Sequence, residues 1–308
     1  MDNPIDPCRR IIVLRIGLFL LTNIAVIAVA SIVLSIFGVG NYLDASGGLN
    51  LQSLLIFCAV FGFSGSLISL LLSKFIAKKT MGVQIIERPR NADEQWLVSM
   101  VEELSQKAGI KTPEIGIFPA QEANAFATGW NRNAALVAVS LGMLQRFERD
   151  EVRAVMAHEI GHVANGDMIT LSLIQGVVNT FVMFFSRIIG HIVDRVILKN
   201  ENGHGIGFMI TTFIAQMVLG ILASMIVMAF SRYREFRADH AGATLADRGS
   251  MIRALQRLQA EVNAGVESPM PDGMKAFGIS GGFKQTMGKL FSSHPPLDVR
   301  IEALKRGL

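Results

Sequence analysis

Charge is scarce in this chain. Only 18% of its 308 residues are Asp, Glu, Lys or Arg, whereas 51% are hydrophobic and the mean hydropathy is +0.42. That balance excludes an ordinary soluble protein and puts part of the chain in lipid. A basic stripe is lacking too. The net charge is +4 and the pI about 9.2, but the Lys and Arg residues are scattered or flank apolar runs, which suits membrane topology and argues against a nucleic-acid partner. Cysteine is nearly absent: Cys8 lies in the N-terminal flank and Cys58 inside an apolar run, so no disulfide framework is indicated.

What is present includes long uncharged runs. Ile16 to Phe37 is long enough to cross the roughly 30 Å hydrocarbon core as a helix. Ala28-Val29-Ala30 resembles a signal-peptide cleavage site, but signal cores have about 7–15 apolar residues, so a retained anchor is expected. Leu51 to Leu72 is a second such run. Arg9, Arg10 and Arg15 precede the first run and Lys74, Lys78 and Lys79 close the second, while the loop between them has Asp44 and no basic residue. The positive-inside rule then puts the N-terminus and the segment after Lys79 in the cytoplasm.

From residue 80 the composition turns to that of an α+β domain. Short strands are expected at Val83–Ile86 and Pro113–Phe118, and another from Asn124 to Gly129, turning at Asn131-Arg132-Asn133 and returning over Ala134–Ser140. Apolar residues at Trp96, Met100, Val101, Leu104 and Ala108 have helical spacing. The Ala134–Ser140 strand is either a sheet edge that could bind an extended peptide or an ordinary interior strand.

One stretch carries chemistry. In Ala157-His158-Glu159-Ile160-Gly161-His162-Val163, the two histidines are four apart on an expected helix and offer their imidazoles to one ion. Neutral imidazole suits zinc, and a catalytic zinc usually keeps three protein ligands and one open position. Glu159 is a candidate general base beside it. Asp150 is the expected N-cap of this helix, Val152, Val155, Met156 and Ile160 its inward face, and Asn165-Gly166 its stop.

Two more apolar runs follow, Met168–Ser186 and Ile206–Phe230, read as a membrane hairpin of third and fourth spans, about 168–190 and 206–230. His162 lies just before the hairpin and Glu235 just after it, so a pair of spans returns both to one membrane face. Glu235 is therefore the expected third ligand. Asp239, one helical turn on, is placed to hold a ligating imidazole by its other nitrogen. The segment 264–293, rich in Gly, Met and Pro, is expected to be a loop without an assigned role. The tail after His294-Pro295-Pro296 should be a short helix capped by Asp298 or its neighbour. The division is thus 1–79 membrane region, 80–167 and 231–308 two parts of a cytoplasmic domain, and 168–230 the hairpin.

Together, the two N-terminal runs, Asn124-Ala125-Phe126-Ala127, His158-Glu159-Ile160-Gly161-His162, the hairpin, Glu235-x-x-x-Asp239 and Ser293-His294-Pro295-Pro296 resemble the membrane-embedded HtpX-type zinc metalloproteases, relatives of the eukaryotic CAAX prenyl proteases. The resemblance covers essentially the whole chain. It implies a mainly α fold with a small β-sheet (α+β), a zincin-like protease domain and about four transmembrane helices in a bacterial inner membrane. It further implies one Zn2+ held by His158, His162 and Glu235, with Glu159 as general base. The implied activity is cytoplasmic cleavage of membrane proteins in quality control and stress response. Asn124 would anchor substrate backbone, and His294 and Arg300 would stabilise the oxyanion or hold the site together. On the residues alone His294 reads as a turn histidine. His240, next to Asp239, either competes for metal or faces solvent. The alternatives are a narrow-specificity CAAX-type protease, a non-catalytic membrane scaffold with structural zinc, and a transporter, for whose usual repeated architecture four spans are too few.

Overall fold

The computed structural model describes residues 21, 24–36, 49–200, 204–264 and 293–307. The expected loop 264–293 therefore lies almost wholly outside the described residues, as does part of the first apolar run. The chain forms two compact units. One comprises Met1–Leu70 with Thr170–Val227, and the other Leu71–Ile169 with Met228–Leu308.

The first unit is helical. Ile24–Ile36 is α1, a short apolar helix, and three longer helices are apolar enough to cross a bilayer: α2 (Leu51–Thr80), α6 (Asp167–Ile192), which continues as a π-helical turn to Ile197, and α7 (Ile206–Gly242). Small polar residues join α2 and α6 here, where Ser172 Oγ donates to Ser66 O at 2.8 Å. The charged segment 231–240, which follows the fourth apolar run, is no separate helix but the uninterrupted end of α7.

The second unit is built on a mixed sheet of four strands among the described residues: β1 (Gln84–Ile85), β2 (Glu114–Phe118), β3 (Ala125–Thr128) and β4 (Leu136–Ser140), in the order β1-β2-β4-β3. β2 and β4 are parallel, with Ile115 opposite Val137, while β3 runs antiparallel to β4, with Phe126 opposite Ala138. The returning strand is therefore interior, with all five residues buried. The edge reading of Ala134–Ser140 is corrected, because the parallel partner β2 occupies its other side. Among the described residues the edge of the sheet next to it is β3, whose four residues are half-buried.

Helix α3 (Ala92–Lys107) starts where Asn91 Oδ1 accepts from Glu94 N at 2.8 Å, and it turns Leu97, Met100, Val101 and Leu104 inward. Ser140 caps the short α4 (Leu141–Arg146), accepting from Met143 N at 3.1 Å. Helix α5 (Arg149–Asn165) carries the two histidines. Its N-cap is Glu148, not Asp150: Glu151, three residues on, reaches back to accept from Glu148 N at 3.0 Å, and Asp150 lies in the first turn, where its charge suits the helix dipole. Gly166 ends α5 in the left-handed conformation, φ 68°, as Asn165-Gly166 predicts. After a π-helical turn (Ala243–Asp247), Asp247 caps α8 (Arg248–Asn263) by accepting from Gly249 N and Ser250 N. The tail helix α9 (Leu297–Arg306) has Pro296 at its N-cap, with Asp298 in the first turn. The core lies between the sheet and α3, α5, α8 and α9, with Leu97, Val137, Met156, Ile160, Leu255 and Leu304 almost fully buried.

One glycine decides how α7 meets α5. A Cβ on Gly161 would stand 2.7 Å from Ala241 Cβ, so only glycine lets the end of α7 lie this close to the histidine-bearing face.

Candidate metal centre

The helical spacing of α5 puts the rings of His158 and His162 edge to face with centroids 4.7 Å apart. The close approach at Gly161 then sets Glu235 of α7 against both. Its Oε1 is 3.2 Å from His162 Nε2 and its Oε2 is 3.6 Å from His158 Nε2. One donor atom from each of the three lies within 4.8 Å of the others.

The opposite ring nitrogens are fixed by carboxylates. His158 Nδ1 is 2.9 Å from Asp239 Oδ1, and His162 Nδ1 is 2.7 Å from Asp167 Oδ2. With each Nδ1–H donating to a carboxylate, both Nε2 lone pairs point at the space shared with Glu235, the tautomer a metal ligand needs. Asp239 is where the Glu235-x-x-x-Asp239 spacing puts it. Asp167 was not foreseen. It is the first residue of α6, and the reversal at Gly166 turns it back on His162; Arg234 Nη1 holds the same residue by donating to its backbone oxygen at 3.0 Å. The sequence signal was the Asp directly after the Asn165-Gly166 stop.

Arg300 on α9 is 6% exposed and grips Asp239 bidentately, Nε to Oδ2 at 2.8 Å and Nη2 to Oδ1 at 2.6 Å, while its Nη1 is 3.3 Å from Glu235 Oε2. His294 Nδ1 is 2.6 Å from Glu235 Oε2, although its side chain is 60% exposed. His240 is exposed and stands outside the donor set.

The donors fit a divalent cation. Glu235, Asp239 and Asp167 are each only 2% exposed, and among the described residues the arginine in ion-pair contact with these buried carboxylates is Arg300, on Asp239 and Glu235. Burial disfavours charge on His162, yet its hydrogen bonds with Asp167 and Glu235 raise its pKa to about 9. Burial likewise opposes charge on His158, and Asp239 and Glu235 overcome it to raise that pKa too. Although burial pushes the Glu235 carboxyl up, contacts with His158, His162 and His294 bring it far below the carboxylate range. This pocket favours positive charge where the two Nε2 atoms converge. Two imidazoles and one carboxylate match the three-ligand set of catalytic zinc, whereas structural zinc is normally closed by four.

Beside the donors opens a cleft of about 900 Å³ whose walls include Glu159, Asn124, Ala125, Met143, Leu255 and His294. Glu159 is half-buried and adjoins His158 in sequence on α5. Asn124 sits at the start of edge strand β3, where Ser140 fixes its backbone: Asn124 N donates to Ser140 Oγ at 3.0 Å and Ser140 N to Asn124 O at 2.8 Å. All eight residues singled out from the sequence, His158, Glu159, His162, Glu235, Asp239, Asn124, His294 and Arg300, thus line the cleft or the donor cluster. Arg300 bonds to carboxylates and is buried, so its contacts are those of a residue that holds the cluster together.

Residues 91–307 match the profile of Peptidase family M48. A protein named Protease HtpX from Cellvibrio japonicus is 77% identical over 292 residues, covering 95% of this chain and 98% of its own length. Proteins of the same name from Hahella chejuensis and Pseudomonas putida are 67% and 66% identical, covering 94% and 95% of this chain and 98% and 99% of their own lengths. The crystal structure of S. mikatae Ste24p has the same fold, with a TM-score of 0.60 at 20% identity over 81% of this chain. This chain spans only 58% of that protein.

Proposed function

The chain belongs to peptidase family M48 and is an integral membrane metallopeptidase, and from that premise we propose that it is a zinc endopeptidase cleaving misfolded or damaged membrane proteins at the cytoplasmic face. The observation that carries this reading is the convergence of His158 Nε2, His162 Nε2 and Glu235 on one point beside a cleft that contains Glu159. Membrane-protein substrates and the quality-control role rest on the likeness to the HtpX-type proteases, and the cytoplasmic face on the basic flanks of the apolar runs.

Zinc, when bound, supplies a Lewis acid that polarises the scissile carbonyl and brings the pKa of a water towards 7. The remaining work falls to the chain's own residues. Glu159 takes the proton of the attacking water and passes it to the leaving amine. Edge strand β3, with Asn124 at its head, pairs an extended substrate through main-chain hydrogen bonds. The exposed imidazole of His294 donates to the carbonyl oxygen as charge develops there. Arg300 keeps Asp239 on His158 and Glu235 in place, while Asp167 does the same for His162.

The test is Glu159→Gln in the purified protein. Zinc content should stay at one per chain while cleavage of an unfolded polypeptide falls by about 100- to 10 000-fold. Cleavage at the wild-type rate removes Glu159 from the role of base. Equal zinc with no cleavage even by the wild type would favour a scaffold.

A further inference from the structure

The turn between β3 and β4 carries a feature that peptide hydrolysis does not use. Trp130, at its head, is 48% exposed, and Arg132 two residues on is exposed as well. The turn is ordered by its own bonds, Asn133 N donating to Asn131 Oδ1 at 2.7 Å and Ala134 N to Asn131 O at 3.2 Å. It is also fixed in place. Lys74 Nζ donates to Ala134 O at 3.4 Å and to Glu114 Oε1 at 2.8 Å, and Lys78 pairs with the same Glu114.

Lys74 stands two residues past Leu72, the end of the second apolar run, in the unbroken helix α2, about 3 Å further along its axis. Leu71 and Phe75, four apart on one face of that helix, are 58% and 50% exposed, so the apolar surface that needs lipid extends to the level of Lys74. The sheet end bearing Trp130 is therefore tied to α2 where that helix leaves the bilayer. An indole with an adjacent cation is the pair that favours a headgroup layer: the ring prefers the apolar–polar boundary and the guanidinium prefers anionic phosphate.

We propose that the Gly129–Ala135 turn is a membrane-docking tip, with Trp130 in the headgroup layer of the bilayer crossed by α2 and Arg132 on an anionic phospholipid. Docking brings the far end of edge strand β3 to the lipid surface, so a polypeptide leaving the bilayer meets that strand first. The inference rests on the reading of α2 as a span.

Trp96 and Trp130 are the two tryptophans of the chain, so Trp96→Phe leaves Trp130 as the only reporter. The full chain is placed in nanodiscs of phosphatidylcholine and phosphatidylglycerol, with and without acyl chains brominated near the headgroup. Trp130 emission should be blue-shifted and should drop in the brominated discs. Arg132→Gln should weaken docking about fivefold in the anionic discs. A separate probe, Leu55→Trp in a chain with both native tryptophans replaced by Phe, reports on the apolar run of α2. Quenching of that probe with unchanged Trp130 emission overturns the docking and leaves the span intact. An unquenched span probe overturns the span reading and the docking with it. Trp130 unaffected by brominated lipid but shifted by added unfolded polypeptide assigns the tip to substrate and also overturns the proposal.

Discussion

Asp167→Ala isolates how much of the centre is held by a residue that touches no metal. The Asp167 carboxylate is 2% exposed and 2.7 Å from His162 Nδ1, and no other carboxylate is recorded within bonding distance of that nitrogen among the described residues. Its loss frees the imidazole to rotate and to place its proton on either nitrogen, so only part of the population presents Nε2 to the ion. Removing such a partner typically weakens metal binding by about 10- to 100-fold, which is about 1.4–2.8 kcal/mol. Asp167→Asn keeps an acceptor oxygen but loses the charge and should fall between. Competition against a chromophoric chelator in detergent reads the affinity directly. At saturating zinc the variant should recover most of its cleavage rate, because Glu159, His294 and the cleft are untouched. Wild-type zinc affinity in Asp167→Ala would refute the reasoning, as would a cleavage defect that excess zinc leaves unchanged.

Other consequences follow from the same contacts. Arg300→Ala leaves Asp239 and Glu235 buried without their guanidinium and should cost about 3–5 kcal/mol of stability by denaturant titration; Arg300→Lys should rescue little, since an ammonium cannot reproduce the bidentate grip. Gly161→Ala presses a methyl against Ala241 and should cost about 1–3 kcal/mol, seen as a lower melting temperature with weaker zinc retention. In metal-stripped protein His162 has a pKa raised to about 9 from its ordinary 6.5, so its protonated form favours the folded state. That contribution is complete below about pH 6.5 and is lost as the pH rises through about 9, a decline that unfolding measured across this range will show and His162→Gln will reduce, leaving the share of His158, whose pKa is raised as well.

Features set by local sequence were legible in advance. Helix α3 follows from the spacing of Trp96, Met100, Val101 and Leu104, and the end of α5 from Asn165-Gly166. The i, i+4 pair His158 and His162 required only helical geometry. Glu235 could be matched to them because two apolar runs separate them and, read as spans, would return the chain to its starting side. What long-range contacts decide was less visible. The interior place of β4 depends on its parallel pairing with β2, which no local pattern announces. Asp150 outranks Glu148 as an N-cap by residue preference, but the Glu151 side chain, reaching back from N3, moves the start of the helix. Asp167 borders an apolar run, and only the left-handed turn at Gly166 aims it at His162. Arg300 is 61 residues beyond Asp239, so its grip on that carboxylate could be implied by resemblance but not by spacing.

The central claim is an open catalytic zinc site made by His158, His162 and Glu235. X-ray absorption at the zinc edge on the purified protein tests it most directly. The account predicts one zinc per chain in a four-coordinate shell of light atoms at about 2.0–2.2 Å, with the scattering signature of two imidazoles. In Glu235→Ala the bound zinc should be lost on dialysis. A shell containing sulfur, a third imidazole, or full zinc retention after Glu235→Ala would contradict it.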